Sequence, residues 1–563
     1  MKNLTIKSLA IATVLMAGFS SCEDFLDRPT EDSYSIDGFY QTDEQCFQSV
    51  NPIYNSPWYD FQRGFVKIGD VLAGNMYYST DDAYQSFVLK SSDDALRNAS
   101  ASLWSVNAYC NSVIQNIDMK AGPDVTTYAK NTVKGEAMTW KAMAYFFLVR
   151  CFGAVPIIHD NAKMISDKNY NGVYKAPEAD VYTYIIKTLE KAIELLPEKN
   201  DPGRIDKYGA YGLLSKVYLT RSGLGHSDAG VRDENDLEKA AEYAGYVIEK
   251  SGRVLVPKYS DIFRLANNFN DESLIAWRWT VGAQWTSQNT LQSDLALNNF
   301  SEFADTWGTW VGISIDLEQA FGEDASSLTR NNTDARRKAT MMMQGDHYEY
   351  FWQDKGGFDY DWTKAATQGV TYGSGTGSNC VKHIVGNNYD HELGSGMGMA
   401  RMATALSTHI LRLADVYLIY AEAVLGNNAS TSDAKALAAF NAVRGRSVKN
   451  YVDKTSITFD DIFKERRLEL AGEGDNWYDF VRLSYYKPDD ARARLAAQER
   501  GYWNNLEAWY KGQLADKSTV TIGSWKVNAS DIEFTIPFPD TDLAMNPHLS
   551  EAPVAFDFSS IGY

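Results

Sequence analysis

The sequence predicts a mostly α-helical fold in which a helical scaffold supports a loop-rich, irregular half with short strands. Apolar residues recur at three- and four-residue intervals over about 98–250, which is the period of helices with one buried face. Two distant segments, 210–219 and 413–421, repeat one pattern of small residues, Leu and Tyr. Residues 253–402 are instead dominated by glycine, asparagine and aromatic residues. These three observations define the scaffold and its interruption.

Helices can be assigned in order from the apolar spacing. Residues Leu103 to Ile117 mark the first long helix, and the next is predicted over 128–152 because Gly153 and Pro156 stop it. Each of the two similar segments is followed by a second helix, as in tetratricopeptide-type helix hairpins. The remaining predicted helices lie at 179–196, 207–221, 237–250, 433–446, 457–472 and 477–483.

The middle segment, 253–402, contains few periodic runs. A strand-like run covers 274–279, and a helix is predicted over 315–321. The stretch GVTYGSGTG at 369–377 is expected to be a flexible loop, and it lacks the lysine of a phosphate-binding loop. Because binding residues tend to lie on loops held by a rigid scaffold, we expect the ligand on this segment.

The first 21 residues are predicted to be a lipoprotein signal peptide. Two lysines precede an apolar run over 9–19 that is too short to span a bilayer. Small residues then lead into Cys22, which is typical of a bacterial lipoprotein cleavage site whose cysteine receives a diacylglycerol. Phe19 replaces the leucine usual three residues before the cysteine, and a simple secretory signal is the alternative. A single mature domain is expected over 22–563, anchored by lipid.

Composition and charge exclude several kinds of protein. With 563 residues, of which 44% are hydrophobic and 23% charged, the chain is typical of a globular protein rather than a disordered one. The formal net charge of −19 argues against a nucleic-acid partner, because phosphate binding requires a basic face.

The cysteines and histidines predict no metal site. No C-x-x-C or H-E-x-x-H spacing occurs, and so few cysteines in a chain of this length are not a disulfide framework. Cys110 and Cys151 lie in apolar helical patterns and are expected in the core. The sequence therefore predicts no cofactor, and it leaves a structural calcium ion open. The cysteines after Cys22 are Cys46, Cys110, Cys151 and Cys380.

Tryptophans are concentrated in the middle segment. A sugar ring has an apolar face and a rim of hydroxyls, so proteins bind it with an aromatic platform beside polar side chains. Trp285, Trp307 and Trp310 have polar neighbours and are the predicted ligand contacts, with core packing as the alternative for Trp307 and Trp310. Trp277 and Trp279 share one face of the strand-like run and are expected in the core. The polar neighbours are Gln284, Gln288, Asn289 and Asp305.

Seven motifs occur in a characteristic order from near the amino terminus almost to the carboxyl terminus. They are CEDFLD at 22–27, GEAMTWKAMAYFFLVRCFGAVPII at 135–158, RIDKYGAYGLLSKVYL at 204–219, ILRLADVYLIYAEA at 410–423, FNAVRGR at 440–446, ERRLELAGEGDNWYDFVR at 465–482 and IPFPDTDLAMNP at 536–547. Any one motif is weak, but the ordered set is specific. Together they resemble the SusD/RagB family of outer-membrane lipoproteins of Bacteroidetes.

The resemblance implies a fold, an activity and a location. The fold is four tetratricopeptide-like helix hairpins, over about 22–252 and 403–563, supporting a ligand side over about 253–402. The activity is non-enzymatic capture of oligosaccharide or polysaccharide, which passes to a partner SusC-like TonB-dependent transporter. The protein is expected in the outer membrane, lipid-anchored and facing the extracellular side, with Glu23 and Asp24 as its surface-export signal.

A second group of ligand contacts is expected in GDVLAGNMYYSTDD at 69–82. In the family that the sequence resembles, this early loop lies near the glycan site. Asp70 and Asn75 could hydrogen bond to sugar hydroxyls, and Tyr77 or Tyr78 could stack on a ring. The alternative is a turn closed by the Asp and Asn side chains.

Two other functions stay open at this point. Any pair among the 73 acidic residues could meet in space, so an all-helical glycoside hydrolase or lyase is one alternative. The other is a transporter-assembly protein that captures peptide or glycoprotein. The densest charge cluster, ERRLE at 465–469, has alternating sign at helical spacing, and it predicts ion pairs between helices rather than catalysis.

Overall fold

The computed structural model describes residues 38–169 and 172–562. The predicted signal peptide, Cys22, Glu23 and Asp24 lie outside the described residues. The helices and the strand before residue 253 are α1 Asp43–Val50, α2 Phe61–Val66, β1 Met76–Tyr77, α3 Asp94–Lys120, α4 Thr127–Phe152, α5 Asn161–Ser166, α6 Glu178–Leu195, α7 Lys207–Arg221 and α8 Glu234–Lys250. A π-helical turn, Lys67–Val71, extends α2.

Short elements make up the middle segment. They are β2 Ser273–Trp277, α9 Leu291–Leu295, β3 Gly312–Ile313, α10 Ile315–Ala320, α11 Ala335–Thr340, β4 Met341–Met343, β5 Asp346–Tyr348, β6 Phe358–Tyr360, α12 Ala365–Gln368, β7 Ser378–Cys380 and α13 Asn388–Ser395. Helices return after it. The later elements are β8 Thr408–Arg412, α14 Leu413–Leu425, α15 Ala434–Ser447, α16 Phe459–Leu470, α17 Asn476–Ser484, α18 Pro488–Ala497, β9 Tyr502–Asn504, α19 Leu506–Tyr510, β10 Thr521–Gly523 and α20 Asp540–Met545.

The strands form small antiparallel sheets of two strands each: β1 with β3, β2 with β8, β4 with β7, β5 with β6, and β9 with β10. The β2–β8 pair connects the two ends of the middle segment, because Trp277 lies opposite Thr408 and Ser273 opposite Arg412. The middle segment therefore leaves and rejoins the scaffold at one place.

Helix α4 is the centre of the scaffold. It is buried on every face from Val133 onward apart from Lys134, as a helix with apolar residues all round requires. The Thr126 side chain caps its first turn by accepting from the Ala129 backbone N–H. Gly153, at φ 69°, ends the helix, as predicted.

The helices pack as hairpins. Helix α3 lies against α4, α7 against α8, and α14 against α15, while α8 also packs on α14 and so connects two of the hairpins. The two similar sequence segments fall in α7 and α14, the first helix of a hairpin in each case. The predicted mostly helical fold is confirmed, and the predicted helix over 207–221 matches α7 at both ends.

The charge cluster in α16 forms the predicted ion pairs. Arg466 binds Asp415 of α14 at 2.6 Å and Asp479 of α17 at 2.9 Å. Glu465 binds Arg336 of the middle segment at 2.6 Å. All of these side chains are buried, so the cluster joins elements from the interior.

The sequence predicts that Cys110 and Cys151 lie in the core. Cys46, Cys110, Cys151 and Cys380 are buried and form no disulfide, which confirms the core assignment of Cys110 and Cys151.

Across residues 38–169 and 172–562, no helix combines the length and the apolarity needed to cross a bilayer.

A buried lysine lies inside the scaffold. Lys141 of α4 is buried, and its Nζ lies 3.3 Å from His159 Nδ1 and over the Tyr184 ring. Burial lowers the pKa of Lys141 from 10.5 to about 7 and, with the neighbouring lysine, the pKa of His159 to about 4. The charged lysine therefore costs stability in the folded state.

We expect Lys141→Met to stabilise the protein in a pH-dependent way. Between about pH 7 and 10.5 the unfolded chain binds a proton that the folded chain does not, so wild-type stability rises with pH in this window. The stability advantage of the variant should therefore be largest at and below pH 7 and shrink towards pH 10. Urea unfolding at several pH values measures this, with Lys130→Met on the first turn of α4 as control. A stability advantage of Lys141→Met that does not change with pH would contradict the lowered pKa of Lys141.

Candidate ligand-binding surface

The tryptophans between residues 277 and 362 divide into buried and exposed groups. Trp285, Trp307 and Trp310 are 55%, 41% and 61% exposed. The other four are buried in the core: Trp277, Trp279, Trp352 and Trp362. The core prediction for Trp277 and Trp279 is confirmed, and the three predicted ligand contacts are the ones that folding leaves open to solvent.

The loop that carries Trp285 packs against α2 and the residues just before it. The Trp285 and Tyr59 ring centroids lie 6.3 Å apart, and Tyr59 is two residues before the start of α2. Gln62, on the first turn, donates to the Gln288 carbonyl at 3.3 Å and accepts from the Thr290 N–H at 2.9 Å. The loop that carries Trp285 is therefore attached to the scaffold at two residues that follow the tryptophan.

Trp307 is oriented by an ion pair that also starts on α2. Its indole Nε1–H donates to Asp294 Oδ1 at 2.8 Å. Arg63 donates to both oxygens of the same carboxylate, at 2.8 Å and 3.2 Å. Tyr59 lies just before α2 and Arg63 within it, so this part of the chain contacts Trp285 directly and Trp307 through Asp294. The Arg63–Asp294 pair itself carries no net charge.

Glycines set the position of Trp310. The turn Gly308–Trp310 packs so tightly that a Cβ on Gly308 would lie 2.3 Å from the Leu295 backbone. The indole of Trp310 lies on Gly373, where a Cβ would come within 2.7 Å of Cζ3. The glycine-rich stretch at 369–377 thus supports this ring. We call the exposed face formed by Tyr59, Trp285, Trp307 and Trp310 the aromatic surface.

Asp70 and Asn75 do not belong to this surface. Both are fully buried, and Asp70 accepts from the backbone N–H groups of Gly472 and Gly474 at 2.8 and 2.7 Å. Asn75 donates to Asp70 at 3.1 Å and accepts from Arg467 at 2.8 Å. Their expected role as ligand contacts is therefore corrected: they fasten the early loop to the 472–474 loop. Burial raises the pKa of Asp70 to about 6.

Tyr77 and Tyr78 lie at the inner edge of the aromatic surface. Tyr77 is buried, and β1 places it opposite Gly312 of β3, directly after the segment that carries Trp307 and Trp310. Tyr78 is half-buried, with the Lys67 ammonium 5.1 Å from its ring centroid. Tyr77 is buried within the β1–β3 pair and Tyr78 is half-buried just after the strand, so both rings expose less area than the three tryptophans.

The polar neighbours predicted from sequence are mostly unavailable. Gln288, Asn289 and Asp305 are buried, because the loops that carry them fold inward. Asn289 donates to the Leu406 carbonyl at 2.7 Å, and Asp305 accepts from the Met402 N–H. Gln284 alone of the four is exposed. The polar groups actually present on the surface, Arg63 and Asp294, are 231 residues apart in sequence, and no local motif marks either.

The aromatic surface is an open face rather than a pocket. The cavities of about 510 and 480 Å³ lie elsewhere, beside Tyr259 and Tyr350 in one case and Phe152 and Phe538 in the other. Within residues 38–169 and 172–562, no three His, Cys, Asp or Glu side chains converge as metal ligands would. The arrangement can therefore stack a flat ligand and hydrogen bond to its edge.

The structure is that of a mostly helical protein that presents an open aromatic face. Comparison with known proteins gives its family: the chain belongs to the SusD family. The sequence-family model described as "SusD family" matches residues 263–554. A second, described as "Starch-binding associating with outer membrane", matches residues 24–219. A SusD-like protein of Bacteroides ovatus is 36% identical, over 98% of this chain and 98% of its own length.

Two solved structures share the whole fold. One crystal structure, 35% identical in sequence, superposes with a TM-score of 0.80 and covers 93% of this chain and 100% of its own. A second, described as a complex with xylogluco-oligosaccharide, is 34% identical, with a TM-score of 0.77 and coverage of 91% and 99%. These similarities agree with the mostly helical architecture.

We expect Asp70→Ala to destabilise the fold, because two buried backbone N–H groups would lose their acceptor. The expected loss in free energy of unfolding is about 3 kcal/mol. Asp81→Ala, an exposed carboxylate in the same loop, serves as control and should change stability by less than about 0.5 kcal/mol. Urea denaturation measures both variants. If Asp70→Ala has the same free energy of unfolding as the wild type, the Asp70 contacts contribute nothing to stability.

Proposed function

We propose that this protein is a surface glycan-binding lipoprotein, without catalytic activity, that captures oligosaccharide or polysaccharide and delivers it to a TonB-dependent outer-membrane transporter. The single observation that carries the proposal is the aromatic surface, on which three tryptophans remain exposed on fixed supports. Exposed indoles lose apolar contact that the core would provide, and a ligand with an apolar face restores it. The proposed binding requires no cofactor or metal.

The aromatic surface suits a neutral, flat glycan. Sugar rings would place their C–H faces on Trp285, Trp307 and Trp310, while hydroxyls at the ring edges would meet polar groups. Arg63 uses Nε and Nη2 for Asp294 and its side chain is largely exposed, so we expect its Nη1 to donate to a ligand hydroxyl. Because the pair carries no net charge, it offers no preference for an acidic sugar.

A glycan of the xyloglucan type is the first ligand to test. The support is the structural relative of 34% identity that is described as a complex with xylogluco-oligosaccharide. An open face also suits a polymer better than a closed pocket would, because a long chain can enter and leave at both ends. Weak contacts at several sugars of one chain would then together give a useful affinity.

We expect Trp307→Ala and Trp310→Ala each to weaken xyloglucan binding about tenfold, and the double variant to abolish retention in a native gel containing the polysaccharide. Isothermal titration with xylogluco-oligosaccharide gives the affinities. Tyr128→Ala, which removes an equally exposed ring on the first turn of α4, is the matched control. Unchanged melting temperatures show that the fold is intact.

The same experiments decide between the proposal and its alternatives. If wild-type protein binds nothing in a broad glycan panel, the glycan proposal is wrong, and capture of peptide or glycoprotein takes its place. If purified protein releases reducing ends from the glycan, it is a hydrolase or lyase.

The location and the transporter form the second part of the proposal. Its support is the predicted signal peptide with Cys22 and a family model whose description names the outer membrane. A lipid on Cys22 would hold the protein at the outer membrane, facing the extracellular side, beside its transporter.

We expect the full-length protein to fractionate with the outer membrane, to be degraded by protease added to intact cells, and to co-purify with a TonB-dependent transporter. Cys22→Ala should abolish the first two properties because the lipid is lost. Co-purification without any effect of glycan on the melting temperature would favour the transporter-assembly alternative. A protein that resists external protease would contradict the extracellular orientation.

A further inference from the structure

The row of aromatic rings continues beyond Trp310. The loop at 369–377 passes beneath Trp310 at Gly373 and reaches two more rings at Gly375. A Cβ on Gly375 would lie 3.0 Å from Tyr77 Cε1 and 3.2 Å from Tyr502 Cβ. Two glycines of one loop therefore support Trp310 on one side and Tyr502 on the other.

Tyr502 has an exposed ring on a rigid support. It is 40% exposed and begins β9, where it lies opposite Gly523 of β10. Its ring rests on Gly523, where a Cβ would come within 3.1 Å of Cζ. The next residue, Trp503, donates its N–H to the Gly375 carbonyl at 2.8 Å, which fastens the β9–β10 hairpin to the glycine loop.

The Tyr502 hydroxyl is free. Within residues 38–169 and 172–562 no hydrogen-bond partner reaches it, whereas the neighbouring Trp307 indole is held by Asp294. Tyr502 thus offers both an apolar ring face and an unused donor and acceptor. This is the combination that a sugar ring with a hydroxyl rim requires.

We propose that Tyr502 is a further glycan contact at the far end of the aromatic surface, so that the site takes an extended chain of several sugars rather than a single sugar. The inference rests on the proposed glycan binding and deepens it. Gly373 and Gly375 are two residues apart, so Trp310 and Tyr502 are supported about 7 Å from each other along the loop. Gly373 and Gly375 are half-buried and Ser374 between them is buried, so the loop reaches solvent at the two glycines.

The two ends of the surface come from distant parts of the sequence. In the proposed site, Trp285 and Tyr59 lie at one end, Trp307 and Trp310 at the centre, and Tyr502 at the other end. A short oligosaccharide would occupy the central tryptophans alone. A longer chain would also cover Tyr502, and its affinity would rise by that additional contact.

The test is the dependence of affinity on chain length. Isothermal titration would use xylogluco-oligosaccharides of increasing length and the xyloglucan polymer. Wild-type affinity should rise with length. Tyr502→Ala should bind the shortest ligand like wild type and the longest about tenfold more weakly. Trp310→Ala should be weaker at every length.

Two further variants separate contact from folding. Tyr502→Phe keeps the ring on its glycine support and should retain most of the length dependence. Tyr389→Ala removes an exposed ring from α13 and should leave it unchanged. If Tyr502→Ala matches wild type at every length, the inference is wrong while glycan binding stands. If wild type binds no ligand of any length, the proposed function and the inference both fall.

Discussion

The fold depends on groups of buried ion pairs that join distant helices. Arg466 lies at the centre of one group, bound to Asp415, Asp475 and Asp479, while Lys216 of α7 binds Asp415 at 2.7 Å. Helices from three regions of the chain therefore meet at fully or largely buried ion pairs. Removing one partner of such a pair leaves a charge in the interior, which costs about 3 to 5 kcal/mol. The geometry of these helices is consequently fixed within narrow limits.

A second buried group ties the middle segment to the scaffold. Glu469 of α16 meets Arg336 and Arg412, each at 3.1 Å, and Arg446 of α15. Burial opposes ionisation of Glu469, but these arginines outweigh it and hold its pKa below the ordinary value. Lys382, far along the middle segment, binds Glu473 at 2.7 Å. The loop-rich half is thus positioned by charges, in addition to its own apolar core.

The candidate site depends on this positioning. The aromatic surface combines α2 of the scaffold with segments around 285, 307 and 373, and no one of them holds the surface alone. Asp70 belongs to the same support, because it fastens the end of α2 to the loop that follows α16. Asp70, expected from sequence to contact the ligand, therefore belongs to the support of the rings and not to the exposed face.

The sequence by itself determined the scaffold and the candidate tryptophans. Apolar periodicity and stop signals are local, so α4 and α7 were predictable almost to the residue, and Trp285, Trp307 and Trp310 stood out in loops. Only the tertiary structure decided which polar groups face solvent. Asn75 and Asp305 are turned inward, while Arg63, Asp294 and Tyr502 meet the surface from positions hundreds of residues apart. Hydrogen bonding between distant segments sets these orientations, and it leaves no periodic trace in the sequence.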